Sequence, residues 1–232
     1  MEISLGLEIV KTALWIKKNQ VLIINDLHLG YEEALQQRGI LVPHFQFQEI
    51  LQKLCEVLKK VSPRLVIING DLKHEFGTIL PQEWREILGL FDFFLQRKIE
   101  IIIIQGNHDS IVKPIAERRG VQIKKEYRYQ DILVIHGNEL ITTTAKKIII
   151  GHEHPAITIR EGSKWEKYKC FLRGKWQRKE LIVVPSFNPL LEGTDVLQEE
   201  LLSPFLKDIG EFTVYVVSGG DAFNFGRVKD LK

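Results

Sequence analysis

The sequence predicts an α/β protein built as a two-sheet sandwich flanked by helices, an αββα arrangement with a mixed first half and a more antiparallel second half. Three observations predict it. Short runs of Val, Ile and Leu, such as Ile101 to Ile104 and Ile148 to Ile150, alternate with stretches whose apolar residues return every three or four positions. That is the pattern of buried strands joined by helices. Up to Asn107 the order reads βαβαβ, and beyond it short strands follow one another between Gly, Pro, Ser and Asn. With 232 residues, 44% of them hydrophobic, the chain can bury one core, and no repeat or low-complexity segment divides it, so one domain spanning 1–232 is expected.

The elements follow in order. Leu14 to Ile16 and Val21 to Ile24 flank Lys18-Asn19-Gln20 and read as a hairpin. A helix over Tyr31 to Arg38 stops at Gly39, and a longer one over Phe45 to Lys60 places Ile50, Leu51, Leu54, Val57 and Leu58 on one face. Leu65 to Asn69 is a strand, Gln82 to Arg97 a helix opened by Pro81, and Ile99 to Ile104 a third buried strand. A short helix over Ile111 to Arg119 follows, with Asp109 or Ser110 as its candidate N-cap. Strands are then expected at Val121 to Lys124, Arg128 to Tyr129, Ile132 to Ile135, Ile148 to Ile150, Ile157 to Ile159, Trp165 to Leu172, Leu181 to Val184 and Phe212 to Val217. Leu191 to Asp208 reads as a loop with a helical turn. Phe205, Phe212, Tyr215, Phe223 and Phe225 are either core or a dimer face, and Trp15 and Trp84 read as core.

Lys and Arg total 32 against 30 Asp and Glu, a formal net charge of +2. This excludes the strong basic bias of a dedicated nucleic-acid coat or membrane-surface protein and leaves only a local basic face open. The apolar runs are far short of the roughly 20 residues that span a bilayer, and Glu2 stands where a signal peptide carries bases. Cys55 and Cys170 form neither a disulfide framework nor a Cys-x-x-Cys pair. A cytoplasmic protein without a membrane partner is expected.

The histidines carry the functional signal. His28, His108, His136, His152 and His154 each follow an apolar strand within a few residues, while His44 and His74 stand farther off. The strand ends read Asn25-Asp26-Leu27-His28, Asn69-Gly70-Asp71, Gly106-Asn107-His108-Asp109, His136-Gly137 and Gly151-His152-Glu153-His154. In open α/β sheets ligands bind beyond the carboxyl ends of the strands, where loops converge. Imidazole, carboxylate and one carboxamide, without thiolate, suit Mn²⁺, Fe²⁺ or Zn²⁺ in five- or six-coordinate sites better than a tetrahedral structural zinc. Gly70, Gly106, Gly137 and Gly151 permit tight turns and close backbone approach. On an extended segment the Asp-x-His and His-x-His pairs point to one side, although at a strand's end they can diverge to separate ions. Each fragment alone has a bland reading as a turn or a solvated loop; five at strand ends in one chain do not.

The order Asp-x-His, Gly-Asp, Gly-Asn-His-Asp, His, Gly-His-x-His resembles the calcineurin-like metallophosphoesterase superfamily over Asp26 to His154, about two-thirds of the chain. Gly70-Asp71-Leu72-Lys73-His74 and Gly106-Asn107-His108-Asp109 are similar to the archaeal and DNA-ligase-associated phosphoesterases related to the double-strand-break repair nuclease. The Arg that the protein-phosphatase branch carries in its Gly-Asp motif is missing, and the chain is too short for the repair nuclease's additional DNA-capping domain. The resemblance implies that Asp26, His28 and His154 hold one divalent ion, that Asn107, His136 and His152 hold a second, and that Asp71 bridges them. It implies His108 as the catalytic non-ligand, His74 as a substrate contact, and Asp109 as a residue behind the ligands or a helix cap. The implied ions are Mn²⁺ first, with Fe²⁺, Ni²⁺ or Zn²⁺ as alternatives.

The chemistry implied is hydrolysis of a phosphodiester, in nucleotides or nucleic-acid ends, by a hydroxide held between the two ions, with His108 stabilising or protonating the leaving oxygen. A phosphomonoesterase is the alternative within enzymes. A non-catalytic protein-interaction scaffold on the same fold is the alternative outside them, and the intact ligand set argues against it. Arg160 to Lys179 interleaves Lys164, Lys167, Lys169, Arg173, Lys175, Arg178 and Lys179 with Trp165, Tyr168 and Trp176. That composition fits single-stranded nucleic acid and equally fits an edge ribbon whose lysines block edge-to-edge pairing. His44, after Pro43, reads as local helix capping or as part of the cleft wall.

Overall fold

A computed structural model describes residues 1–109 and 111–231. Ser110, one of the two candidate N-caps, lies outside the described residues. Two sheets pack face to face. In the first, Glu2–Ser4 (β1), Leu7–Val10 (β2), Ala13–Ile16 (β3) and Val21–Asn25 (β4) form an antiparallel meander. From β4 the sheet continues in parallel through Leu65–Asn69 (β5), Glu100–Ile104 (β6) and Gln122–Lys124 (β7). The intervening helices are Tyr31–Gln37 (α1), Gln46–Lys60 (α2), Pro81–Leu95 (α3) and Lys113–Glu117 (α4).

The second sheet holds Tyr127–Tyr129 (β8), Ile132–Val134 (β9), Lys147–Ile150 (β10), Pro155–Glu161 (β11), Lys164–Trp176 (β12), Lys179–Val183 (β13), Thr194–Asp195 (β14), Thr213–Ser218 (β15) and Asp221–Arg227 (β16). Its centre, β9, β10 and β13, is parallel. The hairpins β8–β9, β11–β12, β12–β13 and β15–β16 are antiparallel. The expected two-sheet α/β class, mixed first and more antiparallel later, is the one observed.

Strand alternation divides the apolar residues between two cores, which is why β4, β5 and β6 read as unbroken apolar runs. Leu22, Ile24, Val66, Ile68, Ile101 and Ile103 face the helices and pack with Ile50, Leu54, Val57, Ile87, Leu90, Phe91 and Phe94. Val21, Ile23, Ile67 and Ile104 face the other way and meet Val134, Ile149, Phe171, Ile182 and Val184 of the second sheet. The outer face of the second sheet is covered by the irregular segment carrying Val196, Phe205, Leu206, Ile209 and Phe212. Phe205, Phe212 and Tyr215 are therefore core, whereas Phe223 and Phe225 are exposed on β16. Trp15 is buried and Trp84 half-buried against the helical core.

Two local expectations change. His44 is exposed and does not cap α2; the buried Glu32 carboxylate of α1 accepts the Phe45 and Gln46 N–H groups, and the His44 ring rests 3.5 Å from it. Asp109 does not cap α4 through its side chain, because that carboxylate is turned inward to other backbone groups.

Candidate metal centre

Parallel pairing decides where the site lies. In the first sheet Asn25 pairs with Asn69 and Asn69 with Ile104, so the Asp26, Asp71 and Asn107 loops leave one edge side by side. In the second sheet Ile149 pairs with Val134 and Ile182, which sends the His136, His152–His154 and Ser186 loops off a common edge. The two edges are stitched together. Asn69 Nδ2 donates to the Ile135 carbonyl at 2.9 Å, Asn25 and Ser186 form a parallel bridge, and Ser186 Oγ donates to the Asp26 carbonyl at 2.8 Å. These loops, distant in sequence, thus share one crevice.

The loops are bent, not extended. Asp26, His28, Asp71, His152 and His154 all have positive φ, between 42° and 65°. Non-glycine residues rarely occupy this region, and clusters of them mark sites where surrounding structure enforces a strained geometry. The Asp-x-His and His-x-His pairs are therefore placed by left-handed turns and not by strand alternation, and His152 and His154 diverge to separate groups. Glycines make the approach possible: a Cβ on Gly70, itself at φ 81°, would fall 1.9 Å from His136 Nδ1, and one on Gly106 would fall 2.2 Å from Asp71 Oδ1.

Two groups of ligand atoms result, His28–Asp71–His154 and Asp71–His136–His152, each within 4.8 Å and sharing Asp71. His28 Nε2 and His136 Nε2 lie 3.8 and 3.4 Å from Asp71 Oδ2. Asn107 Oδ1 lies 2.9 Å and His152 Nδ1 3.1 Å from His136 Nε2, so the second group gains the carboxamide. Asp26 reaches both, 3.5 Å from His154 Nε2 and 3.6 Å from His136 Nδ1, while its Oδ2 accepts the His152 N–H. Among the described residues, Asp26 Oδ1, both His28 ring nitrogens, His136 Nδ1 and His154 Nε2 are buried without hydrogen-bond partners. Buried polar atoms without partners are costly, and this set of hard and borderline donors is what divalent cations take up. The residues of each group fit a divalent ion.

The electrostatics agree. Burial would raise the Asp71 carboxyl, but His136, His28 and His108 around it hold it well below the usual carboxylate range. Burial opposes the charge on His136, yet Asp71 and Asp26 raise it to about 9. Burial and the neighbouring His154 push His28 far down, and burial with His136 lowers His152 to about 4. Behind Asp71, Asp109 accepts N–H groups from Leu72 and Gly106, and burial with the Asp71 charge raises it to about 7.

A model of the calcineurin-like phosphoesterase family matches residues 20–222. The chain belongs to this family. Among solved structures it is similar to the Pseudomonas putida nuclease MPE, with a TM-score of 0.67 and 17% identity over 94% of each chain, a likeness of fold. It is also similar to the E. coli phosphoesterase YfcE, with a TM-score of 0.44 and 12% identity over 89% of this chain and 98% of that one. No curated protein matches it. Among the described residues no helix is long and apolar enough to cross a membrane.

His108 and His74 sit beside the ligand groups. His108 Nδ1 donates to the His74 carbonyl at 2.5 Å, leaving Nε2 on the side of Asp71 Oδ2, 3.9 Å away. The His74 ring packs edge-on against His28 and stacks on His108. Three participants escaped the sequence reading. Glu83 gathers the 74–80 loop by accepting N–H groups from His74, Glu75 and Leu80; its place three residues into a predicted helix was the available signal. Phe76 lies over His108. Lys169 is turned inward, donating to the Ser186 and Asn188 carbonyls beneath the Asp26 loop.

The basic segment is not one surface. β12 spans 13 residues, which separates its ends by about 40 Å. Lys167 and Arg173 are paired with Glu199 and Glu180, and Trp176 packs on Phe205. The hairpin tip, Arg160 over Trp165, remains outward.

Proposed function

We propose that the protein is a divalent-metal-dependent phosphodiesterase acting on nucleotides or nucleic-acid ends. The observation that carries this reading is the convergence of two ligand groups on Asp71 with buried, unpartnered nitrogen and oxygen atoms turned inward. Asp26, His28 and His154 would hold one ion, Asn107, His136 and His152 the other, with Asp71 between; Mn²⁺ suits this donor set, as do Fe²⁺, Ni²⁺ and Zn²⁺. Ions held there would supply a more acidic attacking water and neutralise charge on the phosphoryl oxygens.

The chain's own groups do the rest. The His74 carbonyl fixes the Nδ1 proton of His108, so Nε2 is the atom that exchanges a proton with the leaving oxygen. His74 lies next to this position and contacts the phosphate. Asp109 holds the Gly106 and Leu72 N–H groups and keeps the Asp71 loop against the Asn107 loop. Diester preference is supported by room beside the second ligand group, a cleft of about 490 Å³ bordered by Asn107, His136, Lys125 and Asn138. Free Cys55 and Cys170 suit the cytoplasm.

The test is a panel of bis-p-nitrophenyl phosphate, p-nitrophenyl phosphate, cyclic nucleotides and labelled DNA with Mn²⁺, then with chelator. Chelator-sensitive hydrolysis of the diesters, exceeding that of the monoester, is expected. A preference for p-nitrophenyl phosphate makes the protein a monoesterase, and inertness toward all four overturns the enzymatic reading.

A further inference from the structure

Phe76 is 56% exposed, and its ring packs on His108. Its centroid lies 3.6 Å from that of His108 at an interplanar angle of 34°, so one face is backed by imidazole and the other is open. The loop beneath it is anchored at both ends. The buried Glu83 carboxylate accepts the N–H groups of His74 and Glu75 at 3.0 and 2.7 Å through one oxygen, and that of Leu80 at 2.7 Å through the other. Glu75 Oε1 accepts the Phe76 N–H at 3.2 Å. A large apolar ring beside a polar crevice, carried on a loop anchored at both ends, is what a stacking surface requires.

We propose that Phe76 is the stacking platform for a flat ring of the substrate, a nucleobase attached to the phosphate that sits beside His108. The inference rests on the phosphoesterase reading of the site and names its substrate class as nucleotidyl. Stacking on one aromatic side chain is tolerant of base identity, so the platform distinguishes base-bearing phosphates from sugar phosphates without reading sequence.

The experiment compares binding of thymidine 5′-monophosphate and deoxyribose 5-phosphate to the Mn²⁺-loaded protein by isothermal titration, for wild type, Phe76→Leu and Phe76→Trp. The base should tighten binding roughly tenfold in wild type, the range of a single base–aromatic stack. Phe76→Leu, which keeps an apolar cover on His108 but no flat face, should erase that ratio, and Phe76→Trp should keep it. Should the monophosphate be hydrolysed, the same ratio is read from KM. A ratio near one in wild type, or one unchanged in Phe76→Leu, overturns the proposal even if diesters are hydrolysed. The expected ratios without any diester turnover would leave the platform standing and remove the diesterase reading instead.

Discussion

At His108 the two ring nitrogens have separate tasks, Nδ1 anchored on the His74 carbonyl and Nε2 turned to the crevice. On the proposed function, removing the ring would take away proton transfer and leave the ligand groups intact. His108→Ala is expected to lower turnover by on the order of 10² or more with metal content unchanged by elemental analysis; parallel loss of both would make His108 a ligand. Asp71 belongs to both groups, and a neutral amide is a poor link between two cations. Asp71→Asn should therefore lose both ions together, and tight retention of two would contradict the assignment. His136 carries its proton up to about 9 in the metal-free protein, against an ordinary value of 6.5. A raised folded value means that this contribution to stability is full below about 6.5 and is lost as pH rises through about 9. Ion binding must displace the same proton, so apparent metal affinity should rise with pH across that window; a flat profile in titrations of the chelator-treated protein would exclude His136 as ligand. The residue types of the candidate site were legible in the sequence because each stands directly after an apolar run. The left-handed turns were not, since nothing in Asp26-Leu27-His28 specifies positive φ without the neighbouring loops that enforce it.

Among the elements, helices and buried strands followed from periodicity because β4, β5 and β6 are covered on both faces and α2 and α3 on one. β1 and β2 escaped because Glu2, Ser4 and Glu8 interrupt short apolar stretches, and β16 because its phenylalanines remain exposed. The basic ribbon was legible as composition only. Strand pairing turns Lys169 inward, and ion pairs occupy Lys167 and Arg173. If β11–β12 reaches a nucleic-acid strand, it does so with its tip, about 20 Å along the hairpin from His154. Trp165→Ala with Arg160→Ala should then weaken oligonucleotide binding and flatten its salt dependence in fluorescence anisotropy. Unchanged binding would leave the hairpin as a plain sheet edge. Gly106 belongs to the same scale, because a Cβ there meets both Asp71 Oδ1 and the Asp71 backbone nitrogen, at 2.2 and 2.3 Å. Gly106→Ala is expected to lose ion binding in calorimetry while circular dichroism stays native; full binding would show that the two loops can separate.

For the whole molecule, the crevice is the seam between the sheets, and ions that bind only the assembled seam stabilise the fold through linkage. At 100 times Kd a single site adds about 2.7 kcal/mol, so chelation should lower Tm and Mn²⁺ restore it. The superfamily could be read from the motif order, and the sandwich from the change in rhythm after Asn107. The way β9, β10 and β13 run parallel, aiming His136 and His152 at the Asp26 and Asp71 loops, depends on pairing within the second sheet and on contacts with the first such as that of Ser186 with Asp26, 160 residues apart in sequence, which no local pattern encodes. The most direct test of the account is anomalous scattering from crystals grown with Mn²⁺. Two peaks are predicted, one on each side of the Asp71 carboxylate, ringed by His28 and His154 on one side and by Asn107, His136 and His152 on the other. A crevice without anomalous density at saturating Mn²⁺, or peaks bound elsewhere on the molecule, would contradict it.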